Sequence, residues 1–93
     1  MALSIARWMR QARWPTGAAH LKDQGTRAAE SMVLDIAEGC SRGGKAGRNH
    51  FRIAQGSAGE ALAVLDLADL PGGGEQQQRL RRVGAMLQRR KTA

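Results

Sequence analysis

Few side chains in this 93-residue chain are of a type that does chemistry, and their spacing argues against a reaction. Ser41, His50 and Asp35 could be imagined as a hydroxyl–imidazole–carboxylate relay, in which the imidazole draws a proton from the serine. A chain of this size holds such a set by chance, and nothing resembles a strand-to-helix nucleophile elbow. Metal chemistry fails too. Di-metal helical bundles use Glu-x-x-His pairs on two helices, and none occurs here; His20 and His50 stand apart on different segments. Glu38 and Glu60 could meet across a bundle, but two carboxylates without histidine make a poor transition-metal site. Pairing with Arg42 or Arg27 is the plainer role for them. The run Gly39-Cys40-Ser41-Arg42-Gly43-Gly44-Lys45 ends like a phosphate-binding loop. That loop needs a strand before it and Ser or Thr after the lysine. Here the preceding segment reads as helix and Ala46 follows Lys45. No enzyme, no metal and no cofactor is expected.

The basic residues carry more information. Fifteen Lys and Arg stand against eight Asp and Glu, a net charge of +7, and an excess of this size favours polyanions. Lys45, Arg48 and Arg52 fall at i, i+3 and i+7, on one helix face. Arg79, Arg82, Arg89 and Arg90 spread over the outer side of a later segment, and Arg42 precedes the Gly-Gly pair. The acids gather elsewhere, so these faces are not locally neutralised. Phosphates of RNA or DNA are the expected partners of Arg42, Lys45, Arg48, Arg52, Arg79, Arg82, Arg89 and Arg90. The aromatics are limited to Trp8, Trp14 and Phe51. Stacking of unpaired bases is therefore not the mode, and backbone recognition is.

The elements that position these residues are helical. Ala, Leu, Arg, Gln and Glu dominate while β-branched residues are few, which favours helix. Four segments follow: about Ala2 to Arg13, Ala19 to Glu38, Lys45 to Leu70 and Glu75 to Arg90. Trp14-Pro15-Thr16-Gly17 closes the first. Gly25 inside the second is either tolerated at roughly 1 kcal/mol or marks a new start at Thr26; one continuous helix is the preferred reading. Gly39 reads as a C-cap, and Gly39 to Gly44 as a break that holds no helix. Gly56 and Gly59 in the third segment read as a close-approach surface for a neighbouring helix. Pro71-Gly72-Gly73-Gly74 is a turn. Short loops between successive helices imply antiparallel neighbours. The expected fold is all-α: one domain over residues 1–93, an up-down-up-down antiparallel four-helix bundle with a short first helix.

One cysteine, Cys40, excludes an internal disulfide and suits a reducing cytoplasm. No apolar run approaches a membrane span, and Arg7 and Arg10 interrupt any secretory leader. A thin core of this kind often gains stability by oligomerising.

The central stretch is distinctive. Arg27-Ala28-Ala29-Glu30-Ser31, then Ile36-Ala37-Glu38-Gly39 and Arg42, resembles the signature of the four-helix-bundle proteins encoded in 23S rRNA intervening sequences. Phe51 to Glu60, with Ala54, Gly56, Ser57 and Glu60, is similar to that family's next motif. The resemblance covers about residues 26 to 70. Asp35 stands where the family usually has asparagine, the first helix is shorter, and Gly43-Gly44 replaces a more polar loop. The resemblance implies a homopentameric ring and a nucleic-acid setting without an enzyme. It also implies a superfamily shared with the accessory variability determinant of diversity-generating retroelements, which binds a reverse transcriptase. In this reading Arg27, Ser31, Ile36, Ala37, Glu38, Gly39, Ala54, Gly56, Ser57 and Glu60 are structural, with Glu38 and Glu60 linking helices at one end. The expectation is a non-enzymatic, nucleic-acid-binding homo-oligomer. The alternative is a protein-interaction subunit of a reverse transcriptase or another nucleic-acid enzyme.

Overall fold

The computed structural model describes residues 1–92, and among them every regular element is an α-helix. The helices are α1 (Ala2–Gln11), α2 (Ala19–Arg42), α3 (Gly44–Ala68) and α4 (Gly73–Arg90). Each packs against its chain neighbours, and α1 closes the ring against α4; α1–α3 and α2–α4 are the diagonals. Side-chain pairings give the directions. Between α2 and α3, Ser31 meets Ser57 and Asp35 meets His50. Between α3 and α4, Gln55 meets Gln88 and Asp66 meets Gln77. Between α1 and α2, Met9 packs at Gly25 while Met1 lies beside Ile36 and Ala37, and Arg10 meets Glu30. Rising numbers on one helix meet falling numbers on the next, so the all-α, up-down bundle with a short first helix is what forms. It is a rod of 44 × 19 × 17 Å.

The core is built from small residues and a few large ones. Ala28, Ala29, Ala54, Ala58 and Ala61 let α2 and α3 close on each other, while Ile5, Met9, Met32, Leu65, Leu80 and Val83 fill the axis. The first helix ends as its sequence requires. Trp14 turns back and its indole Nε1 donates to the Met9 carbonyl at 3.1 Å, satisfying one carbonyl that the terminating helix leaves free. Gly17, at φ +90°, completes the turn. Asp69 ends α3 in the left-handed region, and Leu70 folds back into the core.

Two glycine readings change, those of Gly39 and of the Gly56–Gly59 pair, and the reading of Gly25 holds. Gly39 is not a C-cap: α2 runs on through Cys40, Ser41 and Arg42, and only Gly43, at φ +67°, separates it from α3. Gly39 is buried, and a Cβ there would lie 2.5 Å from Phe51 Cε1. A Cβ at Gly47 would lie 2.6 Å from the Gly39 carbonyl oxygen. The two glycines let the helices touch backbone to backbone beside the turn, and that packing outweighs the poor helix propensity of the run. Gly25 likewise lies inside one continuous helix, in contact range of Met9 and Val64. Gly56 and Gly59, by contrast, have open space where a Cβ would stand, so they support no close approach within the chain.

A polar seam crosses the same interface. The Ser57 hydroxyl donates to Ser31 at 3.2 Å, Ser31 donates to Asp35 Oδ2 at 3.3 Å, and His50 Nδ1 lies 2.9 Å from Asp35 Oδ1. His50 and Asp35 are mostly buried, at 24% and 18% exposure, so the pair is shielded from competing water. The departure at Asp35 thus supplies two acceptor oxygens to two helices.

Two stability measurements follow from this packing. Gly47→Ala should lower stability by about 2 kcal/mol through overpacking against backbone, whereas Gly56→Ala should raise it by up to about 1 kcal/mol; equal shifts in denaturant midpoint would contradict the crossing. Asp35→Ala should cost about 2 kcal/mol by stranding His50 and Ser31, and Asp35→Asn clearly less, because one acceptor survives. In a double-mutant cycle Asp35→Ala and His50→Ala should be strongly non-additive, and simple additivity would dissolve the pair.

Candidate nucleic-acid interface

The antiparallel register brings the end of α2, the start of α3 and the end of α4 to one end of the rod. Residues 36–54 and 83–92 form that end. They hold seven basic side chains (Arg42, Lys45, Arg48, Arg52, Arg89, Arg90 and Lys91) against a single acid, Glu38. The remaining chain holds eight basic and seven acidic residues. Nearly all of the +7 net charge therefore sits at one tip. Linear sequence shows three separate basic clusters; only the register makes them one.

Six of the eight arginine and lysine positions expected to meet phosphate lie at this tip: Arg42, Lys45, Arg48, Arg52, Arg89 and Arg90. Lys91, which follows α4 directly, joins them. Arg48 is half-buried and Lys45, Arg52, Arg89 and Arg90 are exposed. Among the described residues, none of these five makes an ion pair, and Arg42 is held by Glu38 at 2.9 Å. Arg79 and Arg82 are not brought to the tip. Arg79 pairs with Glu75 at 2.8 Å near the opposite end of α4, and Arg82 lies along the shaft.

Helix electrostatics divide the tip into two classes. Arg42, Arg89 and Arg90 occupy last turns, where the negative end of the helix dipole welcomes a cation. Local stability is enough to explain them. Lys45 and Arg48 stand in and just after the first turn of α3, where the dipole is positive and no acid is present. Cations there oppose the local field. Repulsion from the neighbouring cations adds to that cost.

The residues that might have done chemistry do not assemble. Gly39-Cys40-Ser41-Arg42-Gly43 spells the Gly-x-Ser-x-Gly pattern, but its first four residues are the last turn of α2 and Gly43 is the joint that follows, with helix and not strand before it. His50 does meet Asp35; the serine beside them is Ser31, whose hydroxyl donates to the carboxylate and not to the imidazole. No activated nucleophile results. Glu38 and Glu60 do not link helices at one end. Glu38 pairs along its own helix with Arg42, and Arg27 pairs with Asp23. Glu60 is exposed in the middle of α3, about 20 Å from the α3 residues that face Glu38, at 1.5 Å per residue. Among the described residues no group of His, Cys, Asp and Glu could hold a metal ion. No helix among them is long and apolar enough to cross a membrane.

The remaining motif positions form the α2–α3 contact. Ser31 bonds Ser57, Ala54 is fully buried, Gly39 receives the Phe51 ring, and Ile36 is half-buried beside Ala37. Gly56 faces outward. No curated protein and no solved structure matches the chain. The family described as 23S rRNA-intervening sequence protein matches residues 1–88, from the first helix almost to the end of α4, well beyond the central stretch that carries the motifs. With its helices, register and central motifs in place, the chain belongs to the 23S rRNA-intervening sequence protein family.

Proposed function

We propose that this protein is a non-enzymatic nucleic-acid-binding bundle that grips the phosphate backbone of RNA or DNA with its basic tip. One observation carries the reading: Lys45 and Arg48 sit at the positive end of α3 without an acidic partner. A bound phosphate would relieve both the unfavourable dipole and the mutual repulsion, and free N–H groups of the first turn of α3 lie beside it. Arg52, Arg89, Arg90 and Lys91 extend the same positive surface over the neighbouring helices. The family's setting within rRNA genes supports RNA as the first partner to try.

The bundle acts as a homo-oligomer in this reading. The outer face of α3 supports that step. Ile53, Gly56, Glu60, Ala63 and Leu67 alternate at spacings of three and four, all exposed, with Leu67 73% accessible. This is the spacing of a helix seam that meets another helix. Gly56 and Gly59 leave the flat surface that such a meeting uses. A five-membered ring, as the family resemblance suggests, would repeat the basic tip around an axis. The exposed free thiol of Cys40 suits a reducing compartment such as the cytoplasm.

The test is fluorescence anisotropy with structured RNA, single-stranded RNA and duplex DNA over a salt series. Replacing Arg48 and Arg52 together by Gln should weaken binding alike at every sequence. It should also flatten the slope of log K against log salt by about 1.4 to 1.8, the loss of two phosphate contacts. Replacing Arg13 and Arg27, at the other end, should change neither. Unaltered binding in the first variant would overturn the placement.

A further inference from the structure

Where α1 lies against α4, a groove stays open between them. Ser4, Arg7 and Trp8 line it from α1 and Gln76 and Arg79 from α4, with Leu3 as an apolar wall. Ser4, Arg7 and Trp8 stand at i, i+3 and i+4 and so share one helix face; Gln76 and Arg79, at i and i+3, share the face opposite. Gln76 is the unusual member. It is 4% exposed, the one polar side chain buried with the core among the described residues. Its Oε1 is sealed from solvent with no hydrogen-bond partner, so the Nε2 end is the one left to the groove. A leucine would fill this place without stranding a polar atom. Packing alone therefore does not account for a glutamine here.

We infer that this groove binds a phosphate dianion, free or as a monoester, held by Arg7, Arg79 and the Gln76 amide. Its strongest polar groups are donors. Arg7 is exposed and makes no ion pair among the described residues. Arg79 meets Glu75 through one terminal nitrogen at 2.8 Å, and a guanidinium has further N–H groups to give. Glu75 is itself exposed and does not line the groove. The Trp8 indole adds an N–H; a Cβ at Gly72 would lie 3.8 Å from its Nε1, which sets the ring at the start of α4. The Ser4 hydroxyl is already spent on the Met1 carbonyl at 2.7 Å. Charge decides the ligand. Two guanidiniums from facing helices match a dianion, and guanidinium forks fit phosphate oxygens. A carboxylate or an internal phosphodiester brings one negative charge. The first turns of α4, where the dipole is positive, favour an anion as well. About 20 Å of helical rise separates Gln76 from Arg89, so the groove is distinct from the basic tip and does not depend on nucleic-acid binding there.

The probe is inorganic phosphate, titrated at constant ionic strength against the full chain and read by tryptophan fluorescence, because Trp8 lines the groove. The same titration on the Arg48→Gln, Arg52→Gln chain removes those two tip cations from the signal. Phosphate should give a saturable change on both chains, and chloride none. Arg7→Gln, at an exposed position, should weaken phosphate about tenfold, while Arg81→Gln, on the side of α4 away from the groove, should not. Gln76→Leu should weaken it about fivefold and, without phosphate, melt no lower than the parent chain. Two further ligands find the source: a 5′-phosphorylated trinucleotide and its 5′-hydroxyl twin. Displacement of phosphate by the first alone assigns the site to the end of a nucleic-acid strand; displacement by neither assigns it to a small free phosphate, and each upholds the site. The inference fails if phosphate gives no saturable change or chloride gives the same one. It fails if Arg7→Gln binds as tightly as the parent, or if both trinucleotides displace phosphate equally. It fails as well if Gln76→Leu melts well below the parent, since the glutamine would then serve the fold and not a ligand.

Discussion

The contact between Gly39 and Gly47 sets the geometry on which the other features depend. One residue, Gly43, joins α2 to α3, so the two helices must turn back with almost no loop. Such a turn brings their backbones together within a turn of the bend, and any Cβ on the facing side would collide. Glycine at both positions removes the collision, and the Phe51 ring packs against Gly39. From there the register runs outward: His50 reaches Asp35, Ser57 reaches Ser31, and Val64 packs at Gly25. α4 and α1 then close on a pair whose alignment is already settled.

That register creates the basic tip. Lys45, Arg48 and Arg52 would be an ordinary solvated stripe on an isolated helix. Placed beside the last turns of α2 and α4, they belong to a tip with a single acid. The other end of the rod shows the contrast. There Arg27 pairs with Asp23, Arg79 with Glu75 and Arg10 with Glu30, all exposed and each worth little individually. The pairs nonetheless cancel the charge, so the molecule has one neutral end and one positive end.

Helix number, helix order and most boundaries were readable from the sequence because they rest on local rules: hydrophobic spacing, Pro and Gly at turns, and the arginines at helix ends. The family was readable from the central motifs. The glycines were not, because a glycine does different work according to what faces it. Gly39 looks like a cap until Phe51 is seen against it, and Gly56 looks like a contact until open space is seen beyond it. The same limit explains Glu38 and Glu60, whose meeting depended on a register that no local pattern encodes. Arg79 and Arg82 were grouped with Arg89 and Arg90 by composition, and about 11 Å of helical rise separates Arg82 from that pair. The pairing of His50 with Asp35 is half legible: residue types suggest the two together, but the serine that joins them is Ser31, not Ser41.

The energetics of the tip support the proposed anionic ligand more strongly than its charge alone does. A small protein keeps only a few kcal/mol of net stability, and unfavourable surface charge is among the easiest things for substitution to remove. Lys45 could be acidic at no packing cost on the exposed start of α3, and an acid there would gain from the dipole. Arg42 shows what relief looks like, since Glu38 one turn back neutralises it at 2.9 Å. Nothing on the described chain does the same for Lys45, Arg48 or Arg52. Solubility does not require it either, for the excess could be spread over the shaft. Lys45 and Arg48 oppose the field of α3 and are left unpaired, within a basic tip assembled from three helices, and the proposed phosphate would neutralise them from outside the fold.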